Sequence, residues 1–86
     1  MDVRNMPWVG HEIEVTSSPD PSYTGRIGIV IDESRRMVSV QEDGKIIELP
    51  KQELFFKINQ SKIIDGRTMN KRPEDRINYK FKGWKI

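Results

Sequence analysis

Basic side chains are concentrated in the second half of this 86-residue chain. Residues 1–50 contain five basic and nine acidic side chains, whereas residues 51–86 contain ten basic and four acidic ones. The overall charge of +2 therefore conceals a C-terminal part with a net charge of +6. Cations interleaved with aromatic residues, here Tyr79, Phe81 and Trp84, are typical of a surface that binds the phosphates and bases of nucleic acid. The alternative is a solvated basic face that keeps a small domain soluble. The candidate cations are Arg67, Lys71, Arg72, Arg76, Lys80, Lys82 and Lys85.

The sequence contains few groups suited to catalysis or metal binding. It has no cysteine, which excludes a disulfide, a thiolate zinc site and a cysteine nucleophile. His11 is the only histidine, so the chain has neither a histidine pair for RNA cleavage nor a two-histidine metal site. Asp32 and Glu33 are neighbours on a predicted strand and should point to opposite faces, which disfavours a two-carboxylate site. We therefore expect no catalytic site and no metal site in this chain.

The elements that carry these residues are predicted to be strands. The chain has no alanine and two leucines, but eleven isoleucines, six valines and three threonines, a composition that favours β-structure. One predicted strand places Ile27, Ile29 and Ile31 on one face and contains Gly28, which suggests a bend or bulge. Alternation and turn residues such as Asp43-Gly44 delimit strands at 12–16, 25–33, 37–42, 45–49, 53–59 and 61–65. We predict an all-β fold, a small antiparallel barrel or sandwich of six strands.

The two ends of the chain differ from this central part. Pro73, followed by two acidic residues, is typical of a helix start. Ile77, Phe81 and Trp84 would then form one apolar stripe against the barrel. We divide the chain into a short N-terminal extension (1–10), a barrel (11–66) and a basic, partly helical C-terminal segment (67–86). The longest apolar run is too short to cross a membrane and no signal peptide is evident, so we expect a cytoplasmic protein.

Three segments, in their order and spacing, resemble a known protein family. Their residues are Trp8 to Val15 with Pro21 to Ser34, then Gly44 to Lys51 with Phe56, and finally Gly66-Arg67 with Arg72-Pro73-Glu74-Asp75-Arg76. Together they span roughly residues 8–80 and are similar to the archaeal and eukaryotic ribonuclease P protein component 1, an Sm-like barrel protein. The glycine-containing strand alone also occurs in KOW-type barrels, whereas the full series ending in Arg-Pro-Glu-Asp-Arg is specific.

The resemblance implies an Sm-like barrel with a non-catalytic role in tRNA processing. Ribonuclease P removes the 5′ leader of precursor tRNA, and its catalyst is the RNA subunit with bound magnesium. A protein of this type binds and steadies that RNA and, in archaea, pairs with a small zinc-ribbon ribonuclease P protein. The implied partners are therefore ribonuclease P RNA, the zinc-ribbon subunit, other ribonuclease P proteins and, indirectly, precursor tRNA. The chain itself would bind no cofactor.

We predict that structured RNA is recognised through its backbone, by cations that contact phosphates without reading sequence. Replacing Arg72 and Arg76 together should then weaken RNA binding without unfolding the barrel, unless Arg76 pairs with a barrel carboxylate. The predicted phosphate contacts are Lys51, Arg67, Lys71, Arg72, Arg76, Lys80 and Lys82. A possible second basic edge, for which a solvated turn is the alternative, comprises Arg26, Arg35 and Arg36.

Other functions remain open on the sequence alone. A KOW-type ribosomal or translation barrel would bind a different RNA, and a protein-interaction module would use the apolar stripe of the C-terminal segment. A small free-standing nuclease would have to cleave RNA without a histidine pair. Because a terminal helix is expected to cover a sheet edge, a monomer or heterodimer is favoured over an Sm-type ring.

Overall fold

Six antiparallel strands form the framework of the computed structural model, which describes residues 2–81. The strands are β1 (Glu12–Ser17), β2 (Ile27–Glu33), β3 (Met37–Glu42), β4 (Lys45–Pro50), β5 (Phe55–Ile58) and β6 (Ile64–Asp65). They are hydrogen-bonded in the order β4-β3-β2-β1-β5-β6. Within residues 2–81 no pairing joins β4 to β6, so the sheet is barrel-like without closing. The all-β prediction is confirmed.

Short helical segments connect and flank these strands. Turns of 3-10 helix lie at Val3–Asn5, Lys51–Glu53 and Gly66–Met69, and the one α-helix of the described chain is α1 (Pro73–Ile77). No helix within residues 2–81 has the length and apolar character needed to cross a membrane. The predicted hairpin between β3 and β4 is confirmed, since Asp43 and Gly44 both have positive φ, 52° and 77°.

The core lies on the inner face of the sheet and follows the alternation of the strands. Trp8, which precedes β1, is fully buried in it: its indole Nε1 donates to the Val3 carbonyl at 3.0 Å, and its ring meets Phe56 edge to face at 5.3 Å. The N-terminal residues therefore pack on the barrel. The buried apolar side chains are Trp8, Ile13, Val15, Val30, Val38, Val40, Leu49, Leu54, Phe56, Ile58, Ile64 and Met69.

A bulge in β2 decides which of its side chains face the core. β2 pairs with β3 through Val30–Val40 and next through Asp32–Ser39, so Ile31 is an extra residue. An extra residue reverses the alternation of the side chains that follow it. Val30 is therefore buried and Glu33, three residues later, is buried as well, whereas Asp32 is exposed. The bulge thus places one carboxylate inside the barrel.

The alternation in β2 correctly predicts that its three isoleucines share one face of the strand, but that face is the one exposed to solvent. Ile27, Ile29 and Ile31 are 46, 44 and 36% exposed. Gly28 is not the bulge residue. A Cβ atom on Gly28 would overlap the Gln41 carbonyl oxygen and the Val40 side chain, so the missing side chain allows β3 to approach closely.

Helix α1 begins at Pro73 as predicted, but a different side chain attaches it to the barrel. Ile77 is 37% exposed, whereas Arg76 is fully buried. Phe81 is half-buried against the core. Trp84, the third residue of the predicted apolar stripe, lies outside the described residues. Since α1 ends at Ile77, the predicted helical stripe of Ile77, Phe81 and Trp84 does not attach the helix to the barrel; the buried Arg76 does.

Candidate nucleic-acid interface

Two neighbouring clefts on the C-terminal part of the molecule share Lys71 as a lining residue. The first, the aromatic cleft, has a volume of about 430 Å³ and is lined by Arg4, Thr68, Lys71, Tyr79, Lys80 and Phe81. The second, the polar cleft, has a volume of about 280 Å³ and is lined by Arg35, Asn70, Lys71, Arg72 and Asp75. We call the two clefts together the basic surface.

Most cations of the basic surface are available to a ligand. Within residues 2–81, no carboxylate lies in ion-pair distance of Arg35, Lys71 or Lys80. Arg72 lies 3.6 Å from Asp75 through its Nε atom, but both side chains are more than 60% exposed, and an exposed pair of this kind is worth little. Apart from Arg4, which is paired with Asp2 at 2.7 Å, the cations of this surface therefore present positive charge that nearby carboxylates neutralise only slightly.

A buried lysine positions the chain segment that carries these cations. The Lys51 side chain is 0% exposed, and its Nζ atom donates to Glu33 Oε2 at 2.8 Å. The same Nζ atom donates to the carbonyls of Lys71 at 3.0 Å and Met69 at 3.3 Å. Burial lowers the pKa of Lys51, and the Glu33 carboxylate opposes that shift. Since two of the acceptors are backbone carbonyls of residues 69–71, Lys51 fixes the backbone beside Arg72.

A buried arginine attaches helix α1 to the same carboxylate. Arg76 donates from Nε to Glu33 Oε2 at 2.9 Å and from Nη2 to Glu33 Oε1 at 2.6 Å. Its Nη1 donates to the carbonyls of Arg4 and Met6, both at 2.7 Å, and its guanidinium stacks on the Trp8 ring at 3.7 Å. This buried cluster of Glu33, Lys51 and Arg76 therefore joins β2, the turn after β4, the N-terminal segment and α1.

The prediction that Lys51 and Arg76 contact phosphates is corrected by their burial. Both side chains are 0% exposed. Their hydrogen-bond acceptors are the Glu33 carboxylate and backbone carbonyls of the protein itself, which leaves no role for a phosphate. The alternative considered for Arg76, pairing with a barrel carboxylate, is what the structure shows, with Glu33 as the partner. No pattern in the sequence distinguishes these two cations from exposed neighbours, because Glu33 faces inward only through the bulge at Ile31.

Two further predicted cations are exposed but held in ion pairs. Arg67 contacts Asp65 through two parallel hydrogen bonds, Nε to Oδ1 at 3.1 Å and Nη2 to Oδ2 at 2.8 Å. These bonds lower the pKa of the Asp65 carboxyl and raise that of Arg67. Arg26 contacts Glu42 at 3.3 Å and the Ser22 carbonyl at 3.0 Å. A phosphate would have to compete with a carboxylate for either side chain.

The two predicted basic regions are brought together only in part. Arg35, from the turn between β2 and β3, lines the polar cleft beside Arg72. Arg36 is exposed and forms no ion pair with a described residue, but it lines neither cleft. Lys82 lies outside the described residues. Whether the exposed cations contact RNA stays a prediction.

The N-terminal segment contributes to this surface, which the sequence did not indicate. The Asn5 Nδ2 atom donates to the carbonyls of Tyr79 at 2.6 Å and Arg76 at 3.0 Å. Arg4 forms parallel hydrogen bonds with Asp2, which lower the pKa of that carboxyl, and its guanidinium lies 4.9 Å from the centre of the Phe81 ring. Contacts between residues more than 70 positions apart carry no local sequence signal.

Comparisons with known proteins agree with the resemblance noted in the sequence. The family model for ribonuclease P/MRP subunit p29 matches residues 2–79. Ribonuclease P protein component 1 of Thermoplasma acidophilum is 36% identical over 70 residues, covering 81% of this chain and 79% of that protein. The protein of the same name from Methanococcus maripaludis is 41% identical over 81 residues, covering 86% and 84%. The solved structure of Mth11, described as a homologue of human RNase P protein Rpp29, has a TM-score of 0.59 at 30% identity and covers 83% of this chain and 97% of that one.

Proposed function

Since the chain belongs to the ribonuclease P/MRP subunit p29 family and is thus a ribonuclease P protein subunit, we propose that it binds the RNA of that enzyme through its basic surface. The chain would act as a non-catalytic support for the RNA subunit during removal of the 5′ leader from precursor tRNA. The basic surface contributes positioning contacts to phosphates, which hold an RNA in register without reading its sequence.

The observation that carries this proposal is the pair of clefts that meet at Lys71. Arg35, Lys71, Arg72 and Lys80 come from two separate parts of the sequence and line one continuous surface. Cations whose charge is not neutralised by nearby carboxylates attract a polyanion over several ångströms. Each contact with a phosphate also releases counterions from the nucleic acid, which adds to the affinity. An RNA backbone is the polyanion that a ribonuclease P subunit meets.

The wider assembly follows from membership of the family. The chain associates with other subunits of ribonuclease P and with its RNA. As part of the proposal, the partners include a zinc-ribbon ribonuclease P protein, and precursor tRNA is met indirectly. Magnesium would be held by the RNA subunit and supply the hydrolytic chemistry there, while this chain binds no cofactor. We further propose a cytoplasmic monomer or heterodimer rather than a ring.

A salt titration of RNA binding tests the proposal. Affinity for ribonuclease P RNA would be measured by fluorescence anisotropy between about 50 and 300 mM salt. Contacts from four cations predict a slope of log affinity against log salt of roughly −2.8 to −3.6. The double substitution Lys71→Ala and Arg72→Ala should reduce the magnitude of that slope by roughly 1.4–1.8.

The matched control is Lys45→Ala. Lys45 is exposed on the hairpin between β3 and β4, at the opposite end of β3 from Arg35. This substitution removes one exposed positive charge, half the change made by the double variant, and should leave the slope unchanged. Binding that does not depend on salt, or an equal loss in the control and in the double variant, would contradict the proposed surface.

A further inference from the structure

The aromatic cleft differs in chemistry from the polar cleft beside it. Its described lining combines two aromatic rings, three cations and the hydroxyl groups of Thr68 and Tyr79, with no carboxylate among the lining residues, although Arg4 pairs with Asp2 beside the cleft. Among the residues that the structure describes, the polar cleft is lined by no aromatic side chain and by one carboxylate, that of Asp75. A phosphate backbone alone needs only cations, so the two rings of the aromatic cleft point to a ligand that also presents a flat apolar face.

The two rings stand beside positive charges. Tyr79 and Phe81 pack edge to face, with ring centres 4.7 Å apart and planes inclined at 61°. The Nζ atom of Lys71 lies 3.8 Å from the centre of the Tyr79 ring. Tyr79 is nevertheless 46% exposed, so much of its surface remains open to a ligand. Because the Lys71 ammonium lies over one face of that ring, a flat group would stack on the other face, with the Lys71 charge on the far side of the ring.

The backbone of Tyr79 is held in place before any ligand arrives. Its carbonyl accepts a hydrogen bond from Asn5 Nδ2 at 2.6 Å, and its amide donates to the Arg76 carbonyl at 3.2 Å. Arg76 is in turn fixed by the buried Glu33 carboxylate. A ring on an anchored backbone loses little freedom when a ligand stacks on it, which favours binding.

We propose that the aromatic cleft binds a single unpaired nucleotide of RNA, with its base on Tyr79 and its phosphate between Lys71 and Lys80. The inference rests on the proposed RNA-binding function and adds to it a preference for unpaired over paired RNA. The volume of about 430 Å³ lies at the small end of the range for clefts that take a small ligand, which suits one nucleotide. Bases in a duplex are stacked on each other and cannot offer a free face to the ring.

The test compares two probes of the same sequence, a 12-nucleotide single-stranded oligoribonucleotide and the corresponding blunt duplex. Tyr79→Ala should weaken binding of the single strand about tenfold, because a base that stacks on an aromatic side chain contributes binding energy that alanine cannot supply. Duplex affinity should change less than twofold. Tyr79→Phe keeps the ring and should retain single-strand affinity. The melting temperatures of both variants control for folding.

The outcomes separate the two proposals. If Tyr79→Ala weakens both probes equally or neither, while Lys71→Ala with Arg72→Ala still weakens binding of ribonuclease P RNA, the cleft inference fails and the proposed function stands. If the unsubstituted chain binds neither probe nor ribonuclease P RNA, both fail. If Tyr79→Ala instead weakens only the association with another ribonuclease P protein, the cleft accepts a protein segment and the inference is overturned.

Discussion

Replacing Arg76 with alanine should strongly destabilise the barrel rather than merely weaken RNA binding. The substitution removes two hydrogen bonds to Glu33, two to backbone carbonyls and the stacking on Trp8. Breaking a buried ion pair by deleting one partner costs about 3–5 kcal/mol. A chain of 86 residues is stable by roughly 4–13 kcal/mol in total. The substitution therefore removes a large part of the free energy of unfolding.

The expected change is large enough to measure by thermal unfolding followed with circular dichroism. A loss of about 3 kcal/mol lowers the melting temperature of a domain this small by roughly 12–24 °C. Arg72→Ala removes only an exposed contact at 3.6 Å and should lower it by less than about 8 °C. Arg76→Lys keeps a charge near Glu33 but cannot form the same paired hydrogen bonds, so its melting temperature should lie between the two.

Arg76→Ala and Arg72→Ala should also differ in their effect on RNA affinity, measured at a temperature at which each variant is folded. Arg72→Ala should weaken binding while the barrel remains folded. The double substitution at Arg72 and Arg76 should unfold as readily as Arg76→Ala alone. A melting temperature for Arg76→Ala within about 4 °C of the unsubstituted chain, together with weakened RNA binding, would refute the buried role and restore the surface role predicted from the sequence.

Two other substitutions probe the surface and the backbone. Asp65→Asn frees the Arg67 guanidinium from its carboxylate, so RNA affinity should rise and the salt slope should steepen by up to about 0.9 in titrations with ribonuclease P RNA. Because the pKa of Asp65 is lowered in the folded chain, its carboxylate stabilises the fold above pH 3.8 and this contribution is lost as the pH falls below that value. The difference in unfolding free energy between the unsubstituted chain and Asp65→Asn should therefore shrink on acidification. Gly66→Ala should destabilise by more than about 2 kcal/mol in urea unfolding, since its Cβ would overlap the Lys51 carbonyl oxygen; Gly44→Ala, with φ +77° and open space around it, should cost about 1 kcal/mol.

Each of these has its own control. Asp43→Asn makes the same change of charge on the β3–β4 hairpin, where Asp43 has φ 52°, which asparagine tolerates, and it should leave the RNA affinity nearly unchanged. Unchanged or weaker RNA binding by Asp65→Asn would show that Arg67 lies outside the RNA contact. Equal stabilities of Gly66→Ala and Gly44→Ala would show that the backbone around Lys51 yields easily.

The strands were predictable because their signals are local. Alternating β-branched residues and turn pairs act over a few positions, so β3, β4 and their hairpin could be placed from the sequence alone. The start of α1 at Pro73 follows from proline stereochemistry in the same way. The environment of a charged side chain depends instead on distant elements, so Lys51 and Arg76 could not be distinguished from Arg72 by type or spacing.

The sequence by itself determined the all-β architecture, the family and the basic character of the C-terminal segment, since composition, local periodicity and motif order are properties of the chain. Only the tertiary structure decided which cations reach solvent. One extra residue in β2 turns Glu33 inward, and a buried carboxylate is stable only with cationic partners, so it takes Lys51 and Arg76 into the core. The cations left outside, Lys71 and Arg72 among them, are held at the surface by that buried cluster.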